Sequence, residues 1–202
     1  MTAIRAMKIC GLTGGPGMGK SAAAGFFRER GAQIVDTDEL ARRVVQPGLP
    51  ALAAIRSAFG KSVIGPSGEL DRAALAQIVF ADADARKKLE AILHPPIRRQ
   101  WLAQIEAWRG ENHPLAIVVI PLLFETGAES HFDRIVCVAC SAAAQRERLL
   151  ARGWSPEQIE RRIAAQMPVE QKIARADFVI WTEGTLAAHE QQIGRILVRL
   201  NR

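Results

Sequence analysis

The sequence predicts an α/β protein built on a five-stranded parallel sheet with helices on both faces and a helical insertion between the second and third strands. Apolar strand-like runs MKICGLT, AQIVD, LAIVVIP, RIVCVAC and ADFVIW alternate with helical stretches. That alternation is the pattern of a parallel sheet covered on both sides and joined by right-handed crossovers. Between the second and third runs, Thr37 to Gly110 carries several helix signals and no convincing strand. A glycine-rich stretch, GLTGGPGMGKS, overlaps the end of the first run and precedes an alanine-rich segment.

MKICGLT, from Met7, reads as a short buried strand, and SAAAGFFRERG reads as a helix ending near Gly31. Between them Gly14, Gly19, Lys20 and Ser21 satisfy G-x-x-x-x-G-K-[ST], the phosphate-binding loop of a nucleoside triphosphate site. Backbone N–H groups of such a loop surround phosphates, the lysine adds a point charge and the serine hydroxyl is a magnesium ligand. Glycines let the backbone approach closely and adopt positive φ, and the opening helix turns its positive end toward the anion. The nucleotide-binding set is Gly14, Gly15, Pro16, Gly17, Met18, Gly19, Lys20, Ser21 and Ala22, with Ser21 as the metal ligand.

AQIVD is the second strand, and VDTDELARR places Asp36 and Asp38 at its C-terminal end. Ligands of open α/β sheets collect outside the carboxyl ends of the strands. There an aspartate can accept a hydroxyl proton or orient magnesium, or simply cap the next helix. Further on, LHPPI at 93–97 is expected to interrupt a helix, since proline removes a donor and restricts the residue before it. His94 at that break suits either a turn or a ligand contact. Ile97, Trp101, Leu102, Ile105 and Trp108 then recur at helical spacing as a core-facing stripe, with Gly110 as the C-terminal cap.

LAIVVIP and RIVCVAC are the third and fourth strands. Cys137 and Cys140 form C-x-x-C in the fourth, but residues three apart in a strand point to opposite faces. No second such pair exists for a zinc site, so these read as buried strand cysteines. Arg146, Arg148, Arg152, Arg161 and Arg162 surround a helix–turn–helix in which SPEQ, 155–158, is a capping box with proline at the first helical position. Such guanidiniums either close over triphosphate oxygens or pair with Glu147, Glu157 and Glu160. ADFVIW is the fifth strand. His113, His131 and His189 show no metal-ligand spacing.

Lys and Arg outnumber Asp and Glu by 27 to 21, a net charge of +6 that fits anionic ligands. No aromatic-interleaved basic tract or RNA-recognition signature accompanies it, so no nucleic-acid partner is expected. No uncharged apolar run of about 18 residues is present, so no membrane span is expected. The N-terminal MTAIRAMKIC lacks the apolar region of a signal peptide, which leads to a cytoplasmic protein whose first six residues form a disordered extension.

Taken together, GLTGGPGMGKS, VDTDELARRVVQPG, FGKSVIGPSGELDRAALAQIVF, LEAILHPPI, IPLLFETG and RIAAQM followed by ADFVI resemble the dephospho-coenzyme A kinase family, in the family's order and over nearly the whole chain from Met7. The resemblance implies transfer of the γ-phosphate of ATP to the ribose 3′-hydroxyl of dephospho-coenzyme A, with Mg2+, as the last step of coenzyme A synthesis. It implies a P-loop NTPase-like core at 7–36 and 111–202, a lid at about 148–166 and a helical coenzyme A-binding insertion at 37–110. By the same similarity Asp38 is the base, with Lys20 and Arg148 as the other catalytic residues. Thr13, Asp36, Asp38, Arg42, His94, Arg98, Leu123, Phe124 and Glu125 become substrate contacts. The partners are ATP and dephospho-coenzyme A, and the protein is expected as a monomer or small homo-oligomer.

Three positions depart from the family. Val119 stands where many members have an aspartate before PLLFE, Ala22 replaces a threonine after the loop serine, and WTEG at 181–184 replaces the asparagine-containing segment that approaches adenine. Two other readings are another small-molecule kinase, such as one for nucleosides or nucleotides, and a P-loop NTPase switch. The chain has no N-K-x-D guanine motif for the GTPase form of the latter.

Overall fold

The computed structural model describes residues 7–200; the extension expected before Met7 lies outside them. The chain divides into two compact units, residues 1–35 with 107–202, and residues 36–106.

The first unit holds the sheet. β1 (Lys8–Thr13), β2 (Gln33–Asp36), β3 (Leu115–Val119), β4 (Arg134–Ala139) and β5 (Phe178–Trp181) lie in the order β2-β3-β1-β4-β5. β1 runs parallel to β3 and to β4, and β4 parallel to β5. β1, β3 and β4 are almost wholly buried, which is why they read as continuous apolar runs rather than alternating ones. On one face Cys10, Leu12, Ile117, Val119, Val136, Val138 and Ile180 pack with Ala23, Ala24 and Phe27 of α1 (Lys20–Glu29) and Ile193 and Ile196 of α9 (Leu186–Leu200). The alternate residues, Ala116, Val118, Ile135 and Cys137, are buried as well and by the period of a strand point the other way. On that side α8 (Val169–Arg175) runs along β4, and Gly11 lies against Leu123 and Phe132. α6 (Ala142–Leu150) and α7 (Pro156–Ala164) complete the unit.

Local chemistry sets the helix ends. α1 stops at Gly31, whose φ of 88° is the left-handed turn that closes a helix. Its N–H bonds the Arg28 carbonyl, while the Ala32 N–H reaches back to Phe27. α6 ends the same way at Gly153, φ 81°. Ser155 caps α7 with a complete capping box, Gln158 returning the bond, as the sequence pattern predicts.

The second unit is helical: α2 (Thr37–Arg43), α3 (Pro50–Phe59), α4 (Arg72–Ala81) and the first part of α5 (Ala83–Gly110), with one isolated bridge between Ile64 and Leu70. Val44, Val45, Ala51, Ile55, Val63, Leu75 and Val79 form its core.

Two expectations are corrected here. LHPPI does not break a helix: α5 runs unbroken through Pro95 and Pro96. Leu89, Ile92 and Leu93 before the prolines and Ile97 after them pack on the same core, and that shared burial offsets the hydrogen bonds the prolines cannot make. Gly110 is not the cap either. Asn112 takes the left-handed position at φ 60°, with its N–H on the Arg109 carbonyl and the His113 N–H on Trp108, a geometry asparagine tolerates better than most residues. Trp101, Ile105 and Trp108 of the expected stripe are buried.

Candidate active site

Thr13 ends β1, and the chain turns through Gly14 to Gly19 before Lys20 opens α1. Gly14 has φ 143°, and a Cβ there would strike the Val138 carbonyl oxygen of β4. Gly17, φ 73°, packs against Leu149. Both positions demand glycine for conformation and for space. Gly19 precedes α1 at φ 96° with no side-chain cap on the helix N-terminus. As the N-cap, glycine offers no side chain to the first N–H groups of α1, an arrangement suited to receiving an anion. The Lys20 Nζ reaches back to the Gly14 and Gly15 carbonyls at 2.8 Å each, so the cation is stationed over the loop. Ser21 and Ala22 follow, exposed, in the first turn.

Side chains from far along the sequence brace this loop. Gln145 of α6, buried, donates its amide to the Pro16 carbonyl at 2.8 Å. Arg148, one turn on, donates to the Thr182 hydroxyl at 2.8 Å, to the Thr182 carbonyl at 2.6 Å and to the Gly17 carbonyl at 3.4 Å. Thr182 itself is buried and donates its hydroxyl to the Met18 carbonyl at 2.9 Å. Glu183 accepts from the Ser141 N–H at 2.9 Å, from the Ser141 hydroxyl and from the Trp181 indole at 3.1 Å. The two Ser141 bonds hold its carboxyl below the usual carboxylate range. A cavity of about 620 Å3 opens beside the loop, lined by Pro16, Ser141, Gln145, Met167, Ile173 and Trp181 among others.

The PLLFE segment follows β3. Leu123 and Phe124 are buried, Leu123 beside Gly11 and Phe124 under the Arg175 guanidinium at 4.5 Å. Glu125 accepts from Lys172 Nζ at 2.9 Å and from the Met167 N–H at 2.8 Å. Thr13 donates its hydroxyl to the Pro121 carbonyl at 3.2 Å. Of the other arginines near α6 and α7, Arg146 pairs with Glu160, Arg161 bonds the Glu157 carbonyl and Arg162 stacks on Trp154 at 4.3 Å.

The remaining sequence-predicted residues belong to the second unit. Asp36 is the N-cap of α2, its carboxylate accepting from the Asp38 N–H at 2.8 Å. The Asp38 and Arg42 side chains are exposed on α2. His94 and Arg98 sit one turn apart on α5, both half-buried. Burial, and then the Arg98 charge, lower the His94 pKa, with Glu90 opposing.

Sequence reading missed Gln145, Thr182, Glu183 and Lys172. Their partners lie far away in the sequence, and no local spacing announces them. Cys10, Cys137 and Cys140 are free and buried, Cys140 just beyond the end of β4. Burial pushes the Cys10 thiol up to about 12 and the Cys137 thiol up to about 11. Those values fit packing residues rather than redox chemistry. Among the described residues no three His, Cys, Asp or Glu side chains gather as a metal-ligand set, and no helix is long and apolar enough to cross a membrane.

A sequence profile described as dephospho-CoA kinase matches residues 8–188. The chain belongs to the dephospho-CoA kinase family. It is 46% identical over 195 residues to a dephospho-CoA kinase of Anaeromyxobacter dehalogenans, covering 96% of this chain and 92% of that one. A crystal structure of a Thermus thermophilus protein superposes with a TM-score of 0.84 at 36% identity, covering 97% of this chain and 99% of that one. The dephospho-CoA kinase of Campylobacter jejuni superposes at 0.69 and 27% identity, covering 95% and 96% respectively.

Proposed function

We propose that the protein transfers the γ-phosphate of ATP to the ribose 3′-hydroxyl of dephospho-coenzyme A, giving coenzyme A and ADP. The observation that carries this reading is the phosphate loop with Lys20 held over it, in a chain whose family match spans residues 8–188. Loop N–H groups and Lys20 cradle the β- and γ-phosphates and stabilise the charge that spreads over the transferring group. Arg148, fixed beside the loop by Thr182, adds a guanidinium on the nucleotide side.

Asp38 receives or orients the proton of the acceptor hydroxyl. Asp36 caps α2 and Asp38 lies exposed in its first turn; the resemblance of VDTDELARR to the family favours Asp38 of the two for this role. Arg42, His94 and Arg98 supply cationic and polar contacts for the acceptor from the helical unit of residues 36–106. Mg2+ fits the donor set as a phosphate-held ion, because magnesium keeps waters and needs only one or two protein oxygens. Ser21, exposed in the first turn of α1, would contribute one. Held there, a magnesium ion would supply charge neutralisation for the phosphates.

The test is a coupled assay of ADP formation with ATP, Mg2+ and a panel of acceptors: dephospho-coenzyme A, nucleosides and nucleoside monophosphates. Turnover that depends on dephospho-coenzyme A is expected. Equal or faster turnover with a nucleoside, or ATP hydrolysis indifferent to any acceptor, overturns the reading.

A further inference from the structure

Lys172 is among the largest fully buried side chains of the described residues, although its type is charged. It lies on α8 and donates to the Pro121 carbonyl at 2.7 Å and to Glu125 Oε1 at 2.9 Å. Each acceptor is shared. The Pro121 carbonyl also receives the Thr13 hydroxyl, and Glu125 Oε1 also receives the Met167 N–H at 2.8 Å. Thr13 is the last residue before the phosphate loop, and Met167 lies in the connection between α7 and α8. One buried cation thus joins three stretches of chain: the strand end that launches the loop, the turn after β3, and the connection between α7 and α8.

A buried ion pair contributes little net stability, because desolvation of both charges opposes their attraction. It does fix direction, since each donated bond has a narrow range of good geometry. Lys172 does not hold α8 alone. Arg175, one turn further along, pairs with Glu129 and stacks on Phe124 at 4.5 Å. Lys172 is the inner tether and Arg175 the outer one.

We propose that Lys172 is a positioning residue for phosphoryl transfer, setting the α7–α8 connection and the start of the phosphate loop in one fixed relation through Pro121 and Glu125. The consequence for turnover rests on the kinase reading above; the tether itself does not. Small misplacements of catalytic groups are costly, about 10²-fold for an error of roughly 1 Å. Removing the tether therefore lowers turnover at saturation while ATP binding, carried by the loop itself, stays nearly the same.

The experiment compares wild type with Lys172→Met, Glu125→Ala and the double variant, measuring kcat and KM for both substrates, ATP-analogue binding by calorimetry, and hydrogen exchange at the Met167 amide. Lys172→Met should lower kcat by about tenfold or more, with the analogue dissociation constant within about threefold. Exchange at Met167 should rise in both single variants, and the double variant should be no slower in turnover than the slower single, because the two residues act as one unit. Near-normal kcat in a folded Lys172→Met, unchanged Met167 exchange, or additive losses in the double variant would each overturn the proposal. If Lys172→Met fails to fold, Glu125→Ala decides by its exchange and its kcat-against-KM split. Wild type that fails to phosphorylate dephospho-coenzyme A would sink the kinase reading alone, and the exchange result would still decide the tether.

Discussion

Replacing Arg148 with alanine should damage the phosphate loop before it damages any contact with substrate. The guanidinium makes two short bonds to Thr182, at 2.8 Å to the hydroxyl and 2.6 Å to the carbonyl, and a longer one of 3.4 Å to the Gly17 carbonyl. Hydrogen bonds from a charged donor contribute about 1.5–3 kcal/mol each. The residue is half-buried, so water partly replaces the lost donor, and the low end applies: about 2–3 kcal/mol for the two short bonds together. For a chain of this size each kcal/mol moves the thermal midpoint by about 2–4 °C, so the variant should melt roughly 5–10 °C lower. The second effect is local. Thr182 also donates to the Met18 carbonyl, so losing Arg148 frees the bracket that holds Gly17 and Met18, and ATP should bind more weakly as well as turn over more slowly. Thr182→Val, which removes only the hydroxyl, should reproduce part of the same loss, and the two together should be less than additive. The assay is a thermal melt and ATP-analogue calorimetry on both variants, with kcat at saturating substrates. An Arg148→Ala protein with the wild-type melting point and nucleotide affinity, impaired only in turnover, would refute the bracing argument and leave Arg148 as a purely catalytic charge.

Lys20→Ala should cut phosphoryl transfer by about 10² to 10³ while the fold survives, the usual consequence of deleting one preorganised electrostatic donor; full activity in a folded variant would end the phosphate-loop assignment. Asp38→Asn should lower turnover by about 10² with ATP affinity little changed, whereas Asp36→Ala should mainly remove the cap of α2 and cost about 1 kcal/mol of stability. Reversed results in steady-state kinetics and melting would exchange the two roles. Gly14→Ala, forced into φ 143° with its Cβ against the Val138 carbonyl, should lose nucleotide binding and about 1–3 kcal/mol of stability. The thiols give a pH prediction: Cys10 and Cys137 ionise at about 12 and about 11 in the folded protein but near ~8.5 when unfolded. Above ~8.5 the unfolded chain binds fewer protons than the native one, so this contribution is complete at lower pH and stability declines as pH rises. At pH 8 the native thiols should resist a disulfide reagent until the chain is denatured, and rapid native labelling of Cys10 or Cys137 would contradict their burial.

Much of the fold was legible because its signals are local. All five strands sit within the runs LAIVVIP and its counterparts, since a parallel sheet buried on both faces needs continuous apolar stretches. The ends of α1 and α7 followed from Gly31 and from SPEQ for equally local reasons. The misreadings were also instructive in physical terms. Pro95 and Pro96 carry a true helix-breaking signal, but it is outweighed by apolar side chains on both flanks that bury in the same core, and that burial depends on α3 and α4, which the local sequence does not see. At the far end of α5 the left-handed position fell to Asn112 rather than Gly110, because packing sets how far a helix runs before a tolerant residue closes it.

The candidate site divides along the same line. Residues that touch phosphate must present backbone N–H groups and one cation at fixed spacing, so Gly14 to Ser21 announce themselves as a string. Residues that hold the loop in shape have no such constraint. Gln145, Thr182 and Lys172 need only a side chain of suitable reach where β4 and β5 return to the loop, through the parallel register that sets Cys137 opposite Val179 and Ala139 opposite Trp181. WTEG illustrates the difference. Read as a string it marks only a departure from the pattern of the resembled family. In the fold Thr182 follows β5 directly, bonds the Met18 carbonyl and orders Arg148, while Glu183 fixes Ser141 at the start of α6. The segment therefore braces the phosphate loop and the start of α6 from behind, and Trp181 lines the cavity beside the loop. Thr182→Asn supplies the sharpest check of that reasoning. A carboxamide in place of the hydroxyl reaches further, so it should disturb the Met18 carbonyl and lower nucleotide affinity; improved ATP affinity would show instead that the position serves the base directly.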